Sequence, residues 1–415
     1  MENISAERIA RQLLECCLAS NPWPEHLLDD LIAQGGDREL FRIIVERLAD
    51  LFEPDLCLAY ADLFAQVIAH RIPGQHADHL CARYERVREP RKFDRTPESV
   101  QNIFVLSRVT LGADVAVTSV VLDGAKRRFP NATVWFAGPK KSWELFSADS
   151  RLRHLAIAYG RGGSIDDRLS IWPQLREAVS LPSSIVIDPD SRLTQLGLLP
   201  ICAEEDYYFF ESRSFGADTD EPLPALARRW MSATFGIADA RPYIATGLDA
   251  AEFATTVSFG VGENPAKRVP DPFEAEVLRR LPRPILIDKG AGGEEAERVE
   301  RAAASAGGDG IVMWDGSFAG FAAHIQRSKL YVGYDSAGGH AAAACGVPMV
   351  SIFTGAVSER MFQRWRPSGH NNIAIIRPGA MSAAELLPTV WAEVASLRRA
   401  SLSSDPPEAD PECRT

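Results

Sequence analysis

The sequence predicts an α/β protein: two successive doubly wound units, each a parallel sheet between helices, behind an all-helical N-terminal segment. Three observations carry that prediction. Short apolar runs of strand length alternate with helical patterns from residue 102 to residue 353. The alternation lapses and begins again at about residue 239. Residues 1–90 keep helical spacing and contain no strand-like run.

Composition agrees. At 415 residues the chain is too long for one ordinary core. Its 46% apolar and 24% charged residues are those of a soluble globular protein. A net charge of −11 with no large basic block argues against a general nucleic-acid binder. No apolar run reaches transmembrane length. The start, MENISAERIARQLLECC, carries acids and no signal-peptide core, so export is not expected and a cytoplasmic protein is. Seven cysteines show no metal-type spacing, and Cys16 and Cys17 read as reduced thiols.

Taken in order, residues 1–90 form a helical extension. Leu40, Phe41, Ile44, Val45 and Leu48 keep one stripe, and Tyr60, Leu63, Phe64, Val67 and Ile68 another. Such stripes are usually bundle core; a dimerisation or partner-binding role is an equal expectation here. His70, His76 and His79 lack a further ligand and read as exposed polar residues, not a metal site. The polar stretch 89–101, with two prolines, is a linker. The first α/β unit then spans 100–238, with strands at 102–107, 133–137, 155–159 and 184–187 and helices at 114–129 and 166–179. The second spans 239–400. Its strands fall at 256–259, 285–288, 311–314, 330–334 and 349–353, and its helices at 273–280, 294–304, 318–327, 336–345 and 383–399. Residues 401–415, rich in Ser, Pro and acids, should be a disordered tail.

The most informative stretch is KLYVGYDSAGGHAAAACGVPMVSIF, residues 329–353. A strand, a glycine-containing turn and a helix N-terminus make an anion site: the first helical N–H groups lack partners, the dipole is positive there, and missing Cβ atoms let a diphosphate reach the backbone. A helix cap without ligand is the competing reading of the same residues.

Asp335, Ser336, His340, the alanines after it, Gly346 and Pro348 stand at the intervals of the D-[ST]-G-x-x-H-x-A-A-A-x-G-x-P signature, so the stretch resembles glycosyltransferase family 9, the heptosyltransferase-like enzymes. One departure is Ala337 in place of the family's glycine, with Gly338 and Gly339 following. The resemblance covers roughly residues 100–400. It implies the GT-B fold, two facing Rossmann-like domains, the first for the acceptor and the second for the nucleotide sugar.

Ligands of open parallel sheets sit beyond the carboxyl ends of the strands, where the loops carrying Lys267, Arg268 and Asp335–His340 would converge. Lys267 matches the family's phosphate-binding lysine and would neutralise the diphosphate as the sugar bond breaks. Asp335 is by default an N-cap; the resemblance gives it the donor sugar's hydroxyls. His340 is a plausible donor to a phosphate oxygen, or a helix-packing histidine. Glu294 and Glu295 stand where the family has an acid near the ribose, and acids also suit a first helical turn; Glu294 is taken as the donor contact.

In the first unit, the segment from Arg108 to Asp114 resembles the family's R-x-x-x-x-G-D, with Gly112 one place early. The resemblance makes Asp114 the general base that takes the acceptor proton; a helix cap is the structural alternative. Asp188-Pro-Asp190 has the form of a GT-A metal motif. It resembles instead a loop on the acceptor side of the family, so no metal is expected and Arg192, with Arg108, is a candidate acceptor contact.

The reading is an inverting, metal-independent glycosyltransferase with no cofactor. Its donor is a nucleotide-diphosphate sugar, implied to be ADP-heptose, and its acceptor a glycan, lipid-linked or protein hydroxyl, implied to belong to lipopolysaccharide biosynthesis. The protein would be cytoplasmic, or peripheral at the inner membrane face. The rivals are a nucleotide-sugar epimerase or hydrolase of the same architecture and a non-catalytic nucleotide-sugar-binding scaffold.

Overall fold

A computed structural model describes residues 5–160, 163–261, 267–290, 292–369 and 372–403. Within it are two compact units, Met1–Gly247 with Ala356–Arg366, and Leu248–Gly355 with Pro367–Thr415.

The first unit holds five parallel strands: β1 Asn102–Leu106, β2 Thr133–Gly138, β3 Leu152–Ala156, β4 Ser184–Asp188 and β5 Tyr207–Phe209, in the order β3-β2-β1-β4-β5. The second holds six: β6 Thr255–Ser258, β7 Ile285–Asp288, β8 Ile311–Trp314, β9 Tyr331–Tyr334, β10 Met349–Ile352 and β11 Ile373–Ile376, in the order β11-β10-β9-β6-β7-β8. Every pairing is parallel. Both orders reverse beside the unit's first strand, between β1 and β4 and between β6 and β9. A crevice opens at such a switch point because the connections leave it in opposite directions.

The central strands are apolar because both faces are covered: Ile103 and Val105 point one way, Phe104 and Leu106 the other, and all are buried. The N-terminal helices cover the second of these faces. Ile9, Leu13, Leu31, Ile44, Phe64 and Val67 share one core with Phe104, Leu106, Val186 and Phe209. Tyr84 tilts against Phe209 with ring centroids 6.0 Å apart. Each large side chain buried there contributes about 1.5–3 kcal/mol.

The helices drawn from sequence as an extension are thus part of the first unit, and the apolar stripes left open for a partner are consumed inside it. The boundary between units falls after Gly247, not at 238, and residues 356–366 of the expected second domain return to the first. Strand β3 begins three residues earlier than the sequence indicates, and β5, β11 and the helices Leu223–Phe235 and Glu359–Trp365 were not foreseen. The tail expected at 401–415 lies outside the described residues from 404 onward. The six described cysteines are free thiols.

Candidate functional site

In the second unit, the chain leaving β9 turns through Asp335 and enters the helix Ala337–Cys345. Gly346, left-handed at φ 71°, closes that helix, and Val347 N–H returns to Ala342 C=O at 2.9 Å. Lys267, arriving after β6, places its Nζ 2.6 Å from Asp335 Oδ2. Its position is fixed from behind: Thr354 Oγ1 donates to the Lys267 carbonyl. His340 is buried in the first turn, where the charges of Asp335 and Lys267 both reach it. Burial holds its imidazole below the usual pKa; Asp335 opposes that and Lys267 reinforces it. Lys267, Asp335 and His340 therefore form one cluster at the switch point of the second sheet.

Ser336 precedes the helix in an extended conformation, and its side chain bonds none of the helix's amides. The Ser336 hydroxyl thus caps none of those first N–H groups, although its carbonyl accepts the Gly339 N–H at 3.2 Å. The two glycines differ. A Cβ on Gly339 would meet only ordinary contacts, at 3.5 Å and beyond, whereas one on Gly338 would lie 2.4 Å from the Tyr331 hydroxyl. The sequence reading had both glycines clear space for a ligand; the space at Gly338 is filled by a tyrosine of the protein itself.

Two expected donor residues stand elsewhere. Arg268 turns to Glu274, at 3.3 Å, and to Asp271. Buried Glu274 also takes Arg298 and the Tyr334 hydroxyl, the latter at 3.1 Å, so Arg268 completes an internal charge cluster behind the site. Glu294 is exposed on its helix. Its neighbour Glu295 faces inward and accepts the Val261 N–H at 2.8 Å, tying the loop after β6 to the helix after β7.

In the first unit, the helix after β1 begins at Leu111–Ala113 and widens at once into a π-helical turn, Asp114–Thr118. Asp114 is fully buried and accepts three hydrogen bonds of 2.7 Å, from Ser107 Oγ, Arg108 N and Thr118 Oγ1. Burial raises its pKa, and those donors oppose the rise. In this arrangement the carboxylate fastens the turn after β1.

Arg108 reaches from that turn across the switch point to Pro189 C=O, at 3.1 Å, and to the Ser212 hydroxyl. Ser212 Oγ bonds Asp190 Oδ2 at 2.9 Å, and Arg213 Nε spans both Asp190 oxygens at 3.2 and 3.0 Å. Arg192 is part-buried on the same edge, with no hydrogen-bond partner for its Nη1 among the described residues. Tyr60, from the N-terminal helices, lies under the Arg213 guanidinium at 5.0 Å. The extension therefore reaches the edge that carries Arg108 and Arg192, which its sequence did not announce.

Asp188 and Asp190 are both engaged. Asp188 accepts Ser191 N–H at 2.7 Å and the Tyr207 hydroxyl at 2.6 Å, and burial pushes its pKa up to about 6. Asp190 holds Arg213 and Ser212 as described. Among the described residues, no three His, Cys, Asp or Glu side chains gather as a metal site would need. No helix among them is long and apolar enough to cross a membrane.

Residues 285–385, which include the turn, Asp335 and His340, match the family described as glycosyltransferase family 9 (heptosyltransferase). That segment of the chain resembles the family. Solved structures of family 9 transferases share the fold around it. One from Veillonella parvula is 15% identical, with a TM-score of 0.51 over 71% of this chain and 97% of that one. E. coli heptosyltransferase WaaC with ADP-2-deoxy-2-fluoro heptose is 14% identical, with a TM-score of 0.52 over 71% of this chain and 99% of its own. The same enzyme with ADP is 13% identical at a TM-score of 0.51. No curated protein sequence matches the chain. The fold is that of the GT-B transferases.

Proposed function

We propose that this family 9 transferase moves a sugar from a nucleotide-diphosphate donor to an acceptor hydroxyl, with inversion, using protein cations to neutralise the departing diphosphate. The observation that carries the proposal is the meeting of Lys267, Asp335 and His340 at a helix N-terminus beyond β6 and β9. As the anomeric C–O bond breaks, negative charge grows on the leaving diphosphate. An ammonium group, free helical amides and an imidazole N–H answer that charge where it develops. Asp335 is freed for the sugar's hydroxyls when Lys267 turns to the phosphate.

A single displacement by the acceptor hydroxyl inverts the anomeric centre and needs one base. The proposal keeps Asp114 in that role: a carboxylate whose pKa burial has raised is the stronger proton acceptor. It requires the turn after β1 to release one of the three bonds Asp114 now accepts. Arg108 and Arg192 line the acceptor edge beside it. Engagement of Asp188 and Asp190 by internal donors supports diphosphate handling without a divalent ion at that pair.

For the donor we propose an ADP-activated heptose, because WaaC, whose fold this chain shares, is solved with ADP-2-deoxy-2-fluoro heptose. A lipopolysaccharide-core hydroxyl, or another lipid-linked, glycan or protein hydroxyl, is the acceptor. The protein then works in the cytoplasm, at the inner membrane face where the acceptor is lipid-linked. Titration of nucleoside diphosphates, followed by NMR of the product's anomeric configuration from labelled donor, tests the reading. Binding of a nucleoside diphosphate and an inverted product are expected. Release of free sugar or an epimer, whether or not acceptor is present, would replace transfer by hydrolysis or epimerisation.

A further inference from the structure

Tyr331 opens β9 and is fully buried. Its side chain shares a face of the strand with position 333, two residues on, which is glycine. A Cβ at Gly338 would stand 2.4 Å from the Tyr331 hydroxyl, and one at Gly333 would meet the Ser258 carbonyl at 2.5 Å and that same hydroxyl at 2.6 Å. Gly338 thus gives clearance to the phenol, and Gly333 to the phenol and the neighbouring strand's backbone together. The ring runs along the strand over Gly333 and ends beneath the first turn of the helix Ala337–Cys345. There the hydroxyl lies 3.4 Å from Ser336 Oγ. The phenol oxygen therefore sits at the reversal of strand order, under the turn that meets Lys267.

A neutral phenol has one proton to give, and a serine hydroxyl can accept one bond while donating another. We propose that Tyr331 is a positioning residue of the donor site: its hydroxyl donates to Ser336 Oγ and so directs the serine's own proton outward, to a phosphate oxygen of a nucleoside diphosphate at the helix N-terminus. The inference rests on the nucleotide-sugar reading of that site. It gives the Ser336 hydroxyl, which caps no amide, a task that needs it oriented. It also accounts for glycine at 338, where the phenol is the nearest obstacle. Burial raises the phenol's pKa, keeping the proton in place at any working pH.

The test is calorimetric titration of ADP, UDP and GDP into the full-length wild type, Tyr331→Phe, Ser336→Ala and the double variant. For whichever nucleotide binds the wild type, Tyr331→Phe should weaken affinity about 3- to 10-fold. Ser336→Ala should weaken it at least as much, and the double variant no more than Ser336→Ala alone, since the phenol acts only through the serine. Unchanged affinity in Tyr331→Phe, or losses that multiply in the double variant, overturns the inference and leaves the nucleotide reading standing. No binding of any of the three by the wild type overturns both. Thermal melts supply a ligand-free check. Gly338→Ala should lower Tm, and adding Tyr331→Phe should restore part of the loss, because the nearest atom becomes a ring carbon at 3.0 Å in place of the hydroxyl at 2.4 Å. No recovery overturns the claim that the phenol fills that clearance.

Discussion

Replacing Lys267 with alanine separates two things the lysine does. Its Nζ lies 2.6 Å from Asp335, in a pair whose side chains are 19% and 9% exposed. Exposed pairs contribute about 0–1 kcal/mol, while removing one partner of a buried pair costs about 3–5 kcal/mol because a charge is stranded. This pair lies between, so Lys267→Ala should destabilise the second unit by about 2 kcal/mol, roughly 4–8 °C in Tm. Adding Asp335→Asn removes the stranded charge and should restore most of that loss. Donor handling should not follow. Losing a cation aimed at a leaving oxyanion costs about 10²–10³ in rate, about 3–4 kcal/mol, in the single and the double variant alike. Calorimetric melts beside ADP titrations and transfer rates decide it. If nucleotide affinity returns with stability in the double variant, Lys267 serves only Asp335, and the phosphate site is refuted.

Asp114→Asn keeps two of the three hydrogen bonds within reach and loses the charge, so Tm should fall by a few degrees while transfer falls about 10²–10⁴-fold at unchanged nucleotide affinity. A normal rate in the folded fraction would leave Asp114 as an anchor alone. His340 titrates below its ordinary 6.5 in the folded protein, so near and below that pH the unfolded chain binds the extra proton. Its contribution is complete above about 6.5 and is lost as pH falls, and urea midpoints between pH 8 and 5 should drop less steeply in His340→Gln than in the wild type. Asp188, with its pKa raised to about 6, acts in the opposite sense but equally in both proteins, so it cancels from the comparison. Phe64→Ala should cost about 3–5 kcal/mol and weaken the first unit's sheet as well as its helices, since they share one core; loss of helical signal alone would show them to be separable.

The buried centre of both sheets was legible because a parallel strand covered on two faces must be an apolar run. The edges were not. Strand β3, LRHLA, is only partly buried, so its alternating polar residues displaced the reading to the apolar residues that follow. Strands β5 and β11 are three and four residues long, and their runs merge into neighbouring apolar loops. After β9 the strand–turn–helix itself was readable from spacing. The choice between Glu294 and Glu295 was open in the sequence, yet a signal existed: Glu295 lies four residues before buried Val299 and so shares its inward face. That a tyrosine fills the clearance at Gly338 could not be read, because the contact joins a strand to the helix after the next turn. Nor does a helical stripe say which sheet it will cover, so Tyr60 gave no sign of reaching Arg213.

The return of Ala356–Arg366 to the first unit has a consequence for how the chain can be divided. Arg364 donates to the carbonyls of Gly216 and Glu221, and Arg360 to that of Ala217, each at 2.7 Å. A fragment ending at Gly247 would leave those three oxygens without their arginines and bare the side of Phe52 that Trp365 now covers. Cutting the polypeptide once therefore cannot yield two complete pieces: the shorter piece carries off eleven residues belonging to the longer, and a split protein would have to be rejoined by exchange of that segment before the amino-terminal piece regained its own fold.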